Sequence, residues 1–259
     1  MLSRWRSPLA LALLALCAAP LLAHALRTGV TPERLALWNT LALQAWWCGL
    51  AGFAALALGG APRERLGLVR VRLGAALLLA CAVGTLALSG ALNFALEQFA
   101  LRAHGSLARL DEIVQAAAPQ SPWLTLFAFG IAPGVAEEFF FRGFLQRALA
   151  ARIGAWSIVA AAAAFGLLHQ DPVHSPAAFA LGCYLGAVAW CARSTWAAVL
   201  CHVANNSAAT LQQLGVGPAF PAPASWFGAA AWLAASCLIL AAVALAAARR
   251  SPLARNSSG

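Results

Sequence analysis

Three short patterns in the second half of the chain carry residue types that can activate water. The six residues concerned are an acidic pair with a following arginine, two histidines on later segments, and an asparagine: Glu137, Glu138, Arg142, His169, His202 and Asn206. A carboxylate can act as a general base toward water, while imidazole and amide groups can hold that water or stabilise an oxyanion. The set therefore predicts hydrolytic chemistry.

The two adjacent glutamates are expected to differ, one carboxylate being ion-paired and the other unpaired. Glu138 and Arg142 are four residues apart with the acid first, which is the favourable order for an ion pair on a helix. Glu137 is rotated by about 100° from Glu138 on the same helix, so it is free to face a cavity. The alternative is a structural acid pair that only holds helices together.

The histidines have structural alternatives of their own. His169 could be a hydrogen-bonded histidine between helices, and His202 and Asn206, on one helix face, could join neighbouring helices by hydrogen bonds. Because polar side chains at membrane depth are costly and usually functional, their occurrence on three separate apolar segments favours a shared site. His24, His104 and His174 have no such company in sequence and are interpreted as uninvolved.

The elements that must position these residues are membrane-spanning helices. The chain has 259 residues, of which 62% are hydrophobic and 10% charged, with a mean hydropathy of +0.78. A soluble domain has roughly a quarter charged residues, and a helix needs about 20 apolar residues to cross a bilayer. The sequence predicts an all-α, polytopic bundle of about eight spans, near residues 8–26, 35–59, 73–96, 122–150, 154–170, 177–192, 195–214 and 226–248.

Three regions follow from this pattern. Residues 1–120 hold the N-terminal spans and a segment, 97–120, with the composition of an interfacial amphipathic helix. Residues 121–214 form the core with the polar patterns, and residues 215–259 form the last span and a tail. The first span has a second interpretation as a signal peptide, because two arginines and an apolar run precede Ala23-His24-Ala25.

Arginine placement predicts the orientation. The formal net charge of +9 comes with no lysine at all, and the arginines stand in short groups between apolar runs, which is typical of membrane-protein loops and argues against a nucleic-acid partner. The expected location is the cell (inner) membrane, with both termini in the cytoplasm. In that orientation twelve arginines lie on the cytoplasmic side: Arg4, Arg6, Arg63, Arg65, Arg70, Arg72, Arg147, Arg152, Arg193, Arg249, Arg250 and Arg255. Only Arg27, Arg34, Arg102 and Arg109 lie outside.

The depth of the site is a separate hypothesis. His169 ends its span near the outer face, so a straight helix from Trp123 would place Glu137 too deep to meet it. Pro133-Gly134 suggests that residues 122–132 run shallowly before a new helix begins near Gly134. The expected site lies in the outer half of the membrane. The seven cysteines all fall in apolar runs and are interpreted as small buried side chains.

The three patterns, E-E-x-x-x-R, F-x-x-x-H and H-x-x-x-N, in this order on separate spans, resemble the CAAX-protease and bacteriocin-processing family of glutamic-type intramembrane peptidases, which includes the CAAX prenyl protease 2-like enzymes. The resemblance covers roughly Gly130 to Leu214 and implies that Glu137 is the general base. It further implies that His169 binds and activates the water and that His202 and Asn206 hold it or polarise the scissile carbonyl. Glu138, Arg142 and Phe165 would support the site.

The resemblance implies hydrolysis of a peptide bond without a covalent acyl-enzyme, and no serine or cysteine has a base at evident spacing. No cofactor is expected. Zinc held by Glu137, His169 and His202 is the alternative, although the H-E-x-x-H helix is absent. The expected partners are a membrane-anchored protein or peptide substrate and the lipid bilayer. Two other functions stay open, a non-catalytic scaffold or bacteriocin-immunity protein and a transporter or proton relay.

Overall fold

The computed structural model describes residues 33–57, 59–119, 121–216 and 222–249. Within those ranges every regular element is a helix and none is a strand, which confirms the all-α class. The predicted span near 8–26, the A-x-A segment and the tail after Arg249 lie outside the described residues.

The described chain forms long helices separated by short connections. Seven of them coincide, within a few residues at each end, with seven of the predicted spans. In chain order the helices are α1 Glu33–Ala57, α2 Pro62–Arg65, α3 Ala75–Gln98, α4 Gly105–Ala117, α5 Pro122–Ile153, α6 Trp156–Leu168, α7 His174–Ala192, α8 Thr195–Gln213 and α9 Trp226–Arg249.

Five of these helices are long and apolar enough to cross a membrane, namely α1 from Leu37 onward, α3, α5, α7 and α9. Helix α6 is apolar but has only 13 residues, and α8 has 19 residues but includes histidine, two asparagines and two glutamines. The predicted number of about eight spans is therefore not confirmed. Several long apolar helices together with many exposed large hydrophobic side chains make this an integral membrane protein.

Helix α5 switches from α-helical to π-helical hydrogen bonding at two places. Two π-helical stretches, Leu126–Ile131 and Phe139–Leu145, enclose an α-helical piece, Ala132–Glu138, that has Pro133 in its first turn. A new α-helical piece thus begins two residues before the predicted start at Gly134, but residues 122–131 are helical as well. The π turns accommodate the proline without ending the helix, and π stretches often occur at functional sites.

Glycines allow the helices of the core to approach closely. A Cβ atom on Gly134 would lie 2.7 Å from the backbone nitrogen of Val203, and one on Gly130 would lie 3.0 Å from the Cα atom of Ser207. These two glycines of α5 are four residues apart and so are their two partners on α8. The small residues bring the backbone of α5 directly against the helix that carries His202, as in small-xxx-small contacts of membrane helices.

The connections gather at two opposite ends of the bundle. At one end, the hydroxyl of Thr195 donates to the carbonyl of Leu66 over 2.6 Å, and the guanidinium of Arg147 donates to the carbonyl of Arg65 over 3.0 Å. At the other end, helix α4 meets the turn between α6 and α7, where the backbone N–H of Ser106 donates to Asp171 over 2.7 Å. Loops that arginine placement assigns to the same side of the membrane therefore contact each other.

The predicted amphipathic segment is helical over Gly105–Ala117 and buries Val114 and Ala117. Its polar side is tied to the same end of the bundle. Nη2 of Arg102 donates to both carboxylate oxygens of Asp111 at 3.1 Å, and the amide of Gln213 also donates to Asp111. Helix α4 is therefore a docked part of the bundle rather than a separate segment.

Candidate functional site

Glu138 joins α5 to α8 inside the bundle. Its Oε1 atom accepts a hydrogen bond from Nη1 of Arg142 at 2.6 Å and lies 2.8 Å from Nδ1 of His202. The side chains of Glu138 and Arg142 are fully buried, and that of His202 is nearly so. The predicted ion pair is present, and it includes an imidazole that the sequence had not assigned to it.

Arg142 extends the network to a third helix. Its Nη2 atom donates to the carbonyl of Gly182 on α7 at 3.0 Å, and one turn later Gln146 donates to the carbonyl of Gly186 at 3.0 Å. A Cβ atom on either glycine would lie within 3.3 Å of the side chain that bonds to it. The glycines of α7 thus leave room for the two long polar side chains of α5.

Phe165 lies at the centre of the predicted residues. Its ring, which is buried, has centroid distances of 5.1 Å to His169 and 5.9 Å to His202, both edge-to-face. The Cζ atom of Arg142 lies 4.8 Å from the same ring centroid, within range of a cation–π contact. Phe165 therefore packs against both imidazoles.

His169 follows the last residue of α6, and its ring bonds back to its own helix. Nδ1 lies 3.0 Å from the carbonyl oxygen of Phe165. A carbonyl oxygen only accepts, so Nδ1 must carry the proton and donate. In a neutral ring, Nε2 is then left as an acceptor.

His174, which was expected to be uninvolved in the site, lies next to His169 in the structure. Its ring centroid lies 4.0 Å from that of His169, and its Nδ1 atom lies 3.0 Å from the hydroxyl oxygen of Ser106 on α4. Gln170, with a φ of 50°, stands in the turn that brings the two histidines together. Sequence reasoning missed the contact because it depends on the direction in which this turn reverses the chain.

Asp171 holds that turn in place. Its carboxylate accepts hydrogen bonds from the backbone N–H groups of His174 and Val173 at 2.8 and 2.9 Å, and from that of Ser106 at 2.7 Å. The hydrogen bond from the His174 backbone, with those from Ser106 and Val173, lowers the pKa of Asp171 to about 2, although partial burial opposes the shift. Asp171 therefore stays ionised at any physiological pH.

Glu137 has a different environment from its neighbour. Its side chain is half-buried, and its Oε1 atom accepts a hydrogen bond at 3.4 Å from the amide Nε2 of Gln44 on α1. In the described part of the chain no cation lies within ion-pair distance of Glu137, and neither imidazole is hydrogen-bonded to it. Sequence reasoning missed Gln44, although a glutamine within an apolar span already indicates a polar contact inside the bundle.

Asn206 lies one turn after His202 on α8, as predicted. Its Oδ1 atom accepts a hydrogen bond from Nδ2 of Asn205 at 3.1 Å, and its side chain is half-buried. That bond fixes the orientation of the amide, whose nitrogen remains a donor. The structure places Asn206 on the helix that also carries His202, but shows no hydrogen bond between the two side chains.

The zinc alternative requires three ligands in one place. Among the described residues, no group of three histidine, cysteine, aspartate or glutamate side chains could hold a metal ion, and Glu137, His169 and His202 do not form such a group. Two surface hollows, of about 500 and 400 Å³, lie around Val69–Gly74 and between Leu66 and Phe144. Neither is lined by the predicted site residues.

Comparison with known proteins identifies one family. Residues 119–208 match the family described as Rce1-like, type II CAAX prenyl endopeptidase, which agrees with the resemblance that the three motifs carry. No curated protein and no solved structure matches the chain. The matched segment contains every predicted site residue, whereas Gln44 lies outside it.

Proposed function

We propose that this chain, whose residues 119–208 carry the Rce1-like pattern, is an intramembrane endopeptidase that cleaves a peptide bond in a membrane-associated protein or peptide. Glu137 acts as the general base that activates water. The matched family consists of proteases, so the match supports a protease activity in general.

The observation that carries the assignment is the unequal surroundings of two adjacent carboxylates. Glu138 is fully buried between Arg142 and His202 and accepts hydrogen bonds from both. Both hydrogen bonds are made by Oε1, and the side chain, including Oε2, is closed off from solvent, so Glu138 is poorly placed to take a proton from water. Glu137 is half-buried, and within the residues that the structure describes the one hydrogen bond that it accepts is a long one from a neutral amide. A general base needs this kind of accessible carboxylate.

His169 is suited to hold the water. Because its Nδ1–H donates to the carbonyl of Phe165, the neutral ring offers Nε2 as an acceptor for a water O–H group. A water held by Nε2 and by the carboxylate of Glu137 would have its oxygen lone pair directed at a substrate carbonyl. His174, packed against the ring at 4.0 Å, limits the rotation of His169.

His202 and Asn206 are suited to stabilise the oxyanion. The Nδ1–H of His202 donates to Glu138, so donation from Nε2 as well requires the doubly protonated ring. The amide nitrogen of Asn206 would be a second donor.

The substrate class follows from the family description. A prenyl endopeptidase acts on a lipid-modified chain, and a lipid-anchored segment would approach the bundle from the bilayer. We therefore propose a membrane-anchored peptide with a lipidated C-terminus as the substrate. No metal or other cofactor is needed in this scheme, because the carboxylate, not a metal-bound hydroxide, generates the nucleophile.

The proposal is tested with the full-length protein in liposomes and a quenched fluorescent peptide that carries a farnesylated CAAX-type C-terminus. The Glu137→Gln variant should lose about 10²- to 10⁴-fold in kcat, the range for a general base. Comparison of the membrane proteomes of wild-type and variant cells for uncut precursors identifies the natural substrate. Wild-type turnover in Glu137→Gln would contradict the assignment, and processing that is absent from both would favour a non-catalytic scaffold.

A further inference from the structure

The segment that matches the family does not contain all the groups that contact the proposed base. Gln44 lies 93 residues before Glu137 in sequence, on α1, and donates its amide hydrogen to Oε1 of that glutamate. Gln44 is only 6% exposed, so the amide is buried in an otherwise apolar helix surface. Burying an amide costs free energy unless a hydrogen bond compensates for the lost contact with water.

The packing around Gln44 leaves it little freedom. Trp47, one turn later on the same face of α1, is fully buried and has ring centroid distances of 4.7 Å to Phe140 and 5.7 Å to Phe141. These two phenylalanines follow Glu137 by three and four residues on α5. The aromatic contacts therefore lock the register of α1 against the turn of α5 that begins with the proposed base.

We propose that Gln44 is a positioning residue for Glu137, so that the active site is completed by a helix outside the Rce1-like segment. This inference rests on the proposed function of Glu137. The amide holds one carboxylate oxygen, which directs the other oxygen toward the water. The amide also covers Oε1, so that oxygen is less open to a reagent that attacks carboxyl groups. At 3.4 Å the bond is long, as catalytic hydrogen bonds often are before substrate binds.

A matched control is present in the same molecule. Gln146 is also a buried glutamine that donates through Nε2, and its Oε1 atom, like that of Gln44, has no partner within the described residues. Its acceptor is a backbone carbonyl of α7 and not a carboxylate. Substituting methionine at either position removes one buried amide at nearly constant volume, so both variants should have similar effects on unfolding temperature.

The first measurement is the kinetics of Gln44→Met and Gln146→Met on the farnesylated peptide. We expect kcat to fall about 10- to 100-fold in Gln44→Met with KM within a factor of two, because a misplaced base slows the chemical step and leaves substrate binding intact. Gln146→Met should keep kcat within a factor of three. A wild-type kcat in Gln44→Met would overturn the proposal while leaving the role of Glu137 standing.

The second measurement does not depend on activity. Dicyclohexylcarbodiimide reacts with protonated carboxyl groups within membranes, and mass spectrometry reports the labelled fraction at each glutamate. Labelling of Glu137 at pH 7 should rise at least threefold in Gln44→Met and stay unchanged in Gln146→Met. Unchanged labelling in Gln44→Met would reject the contact, even if the wild-type protein does not cleave the peptide. Altered labelling without any wild-type cleavage would keep the contact and reject the peptidase proposal.

Discussion

Oε1 of Glu138 lies 2.8 Å from Nδ1 of His202, so the second of two adjacent glutamates, and not the first, links α5 to α8. The same oxygen accepts from Arg142 at 2.6 Å. One carboxylate oxygen thus contacts both a guanidinium and an imidazole in a fully buried position. The neighbouring Glu137 forms no ion pair among the described residues, and this difference gives the two glutamates separate expected behaviours.

Removing Arg142 should destabilise the protein more than removing both members of the pair. In Arg142→Met the charge of Glu138 remains buried without its main counter-charge, and we expect the free energy of unfolding to fall by about 3–5 kcal/mol. In the double variant Glu138→Gln/Arg142→Met the buried charge is absent, so the loss should be clearly smaller. Chemical unfolding in detergent measures both. If the loss in the double variant equals the sum of the losses in Glu138→Gln and Arg142→Met measured singly, the pair is not coupled.

The close approach of α5 and α8 should be sensitive to a single methyl group. In Gly134→Ala the new Cβ would meet the backbone of Val203 at 2.7 Å, and backbone cannot rotate away as a side chain can. We expect a loss of about 1–3 kcal/mol in stability from overpacking, with a fall in kcat because His202 moves with α8.

Gly49 on α1 supplies the control for that variant. A Cβ atom there would have no neighbour within 4 Å in the described part of the chain, so Gly49→Ala should be neutral or slightly stabilising, by up to about 1 kcal/mol. Thermal unfolding and peptide cleavage, measured on both variants, separate the local clash from a general effect of replacing helix glycines. Equal stability of the two variants would mean that the helices are not in close contact at Gly134.

Contacts within one helix could be predicted from the sequence, whereas contacts between helices could not. The ion pair of Glu138 and Arg142 follows from four-residue spacing on a helix, and the helix positions follow from apolar runs of sufficient length. The preference of His202 for Glu138 over Glu137 depends on the rotation of α8 against α5, which no local pattern specifies. Gln44 stood in the sequence as a polar residue in an apolar span, but its contact is 93 residues away.

Acidic pH should release the turn at Asp171. Because the pKa of Asp171 is lowered to about 2, its hydrogen bonds stabilise the folded state fully above the unfolded pKa of about 3.9. This contribution is lost as pH falls from about 4 toward 2. Asp171→Asn should lower the unfolding temperature by roughly 2–4 °C at pH 7, as for the loss of a helix-capping carboxylate.

The difference between wild type and Asp171→Asn should shrink as the pH is taken from 5 to 2.5. Calorimetry at a series of pH values measures it, and hydrogen exchange of the α4 amides reports whether Ser106 has been released. A difference that is the same at both ends of this pH range would show that the charge of Asp171 does not hold the turn.

The two ends of the bundle should lie on opposite sides of the membrane. We predict that a cysteine at the exposed position 172 reacts with an impermeant maleimide in intact cells, whereas one at the exposed position 63 reacts only after the cells are permeabilised. The prediction follows from arginine placement, which puts Arg63 in the cytoplasm. Reactive native cysteines are replaced beforehand. The opposite labelling pattern would invert the orientation, and equal labelling of both would reject the two-ended topology.

The π-helical stretch Phe139–Leu145 has a consequence for comparing this chain with relatives. A π turn is generated by a one-residue insertion into an α-helix, so a relative that lacks one residue here can have an uninterrupted α-helix at the same place. An alignment that forbids gaps inside helices would then pair Arg142 with a residue on a different face of that relative's helix. The arginine partner of the glutamate pair should therefore be sought one position to either side before it is declared missing.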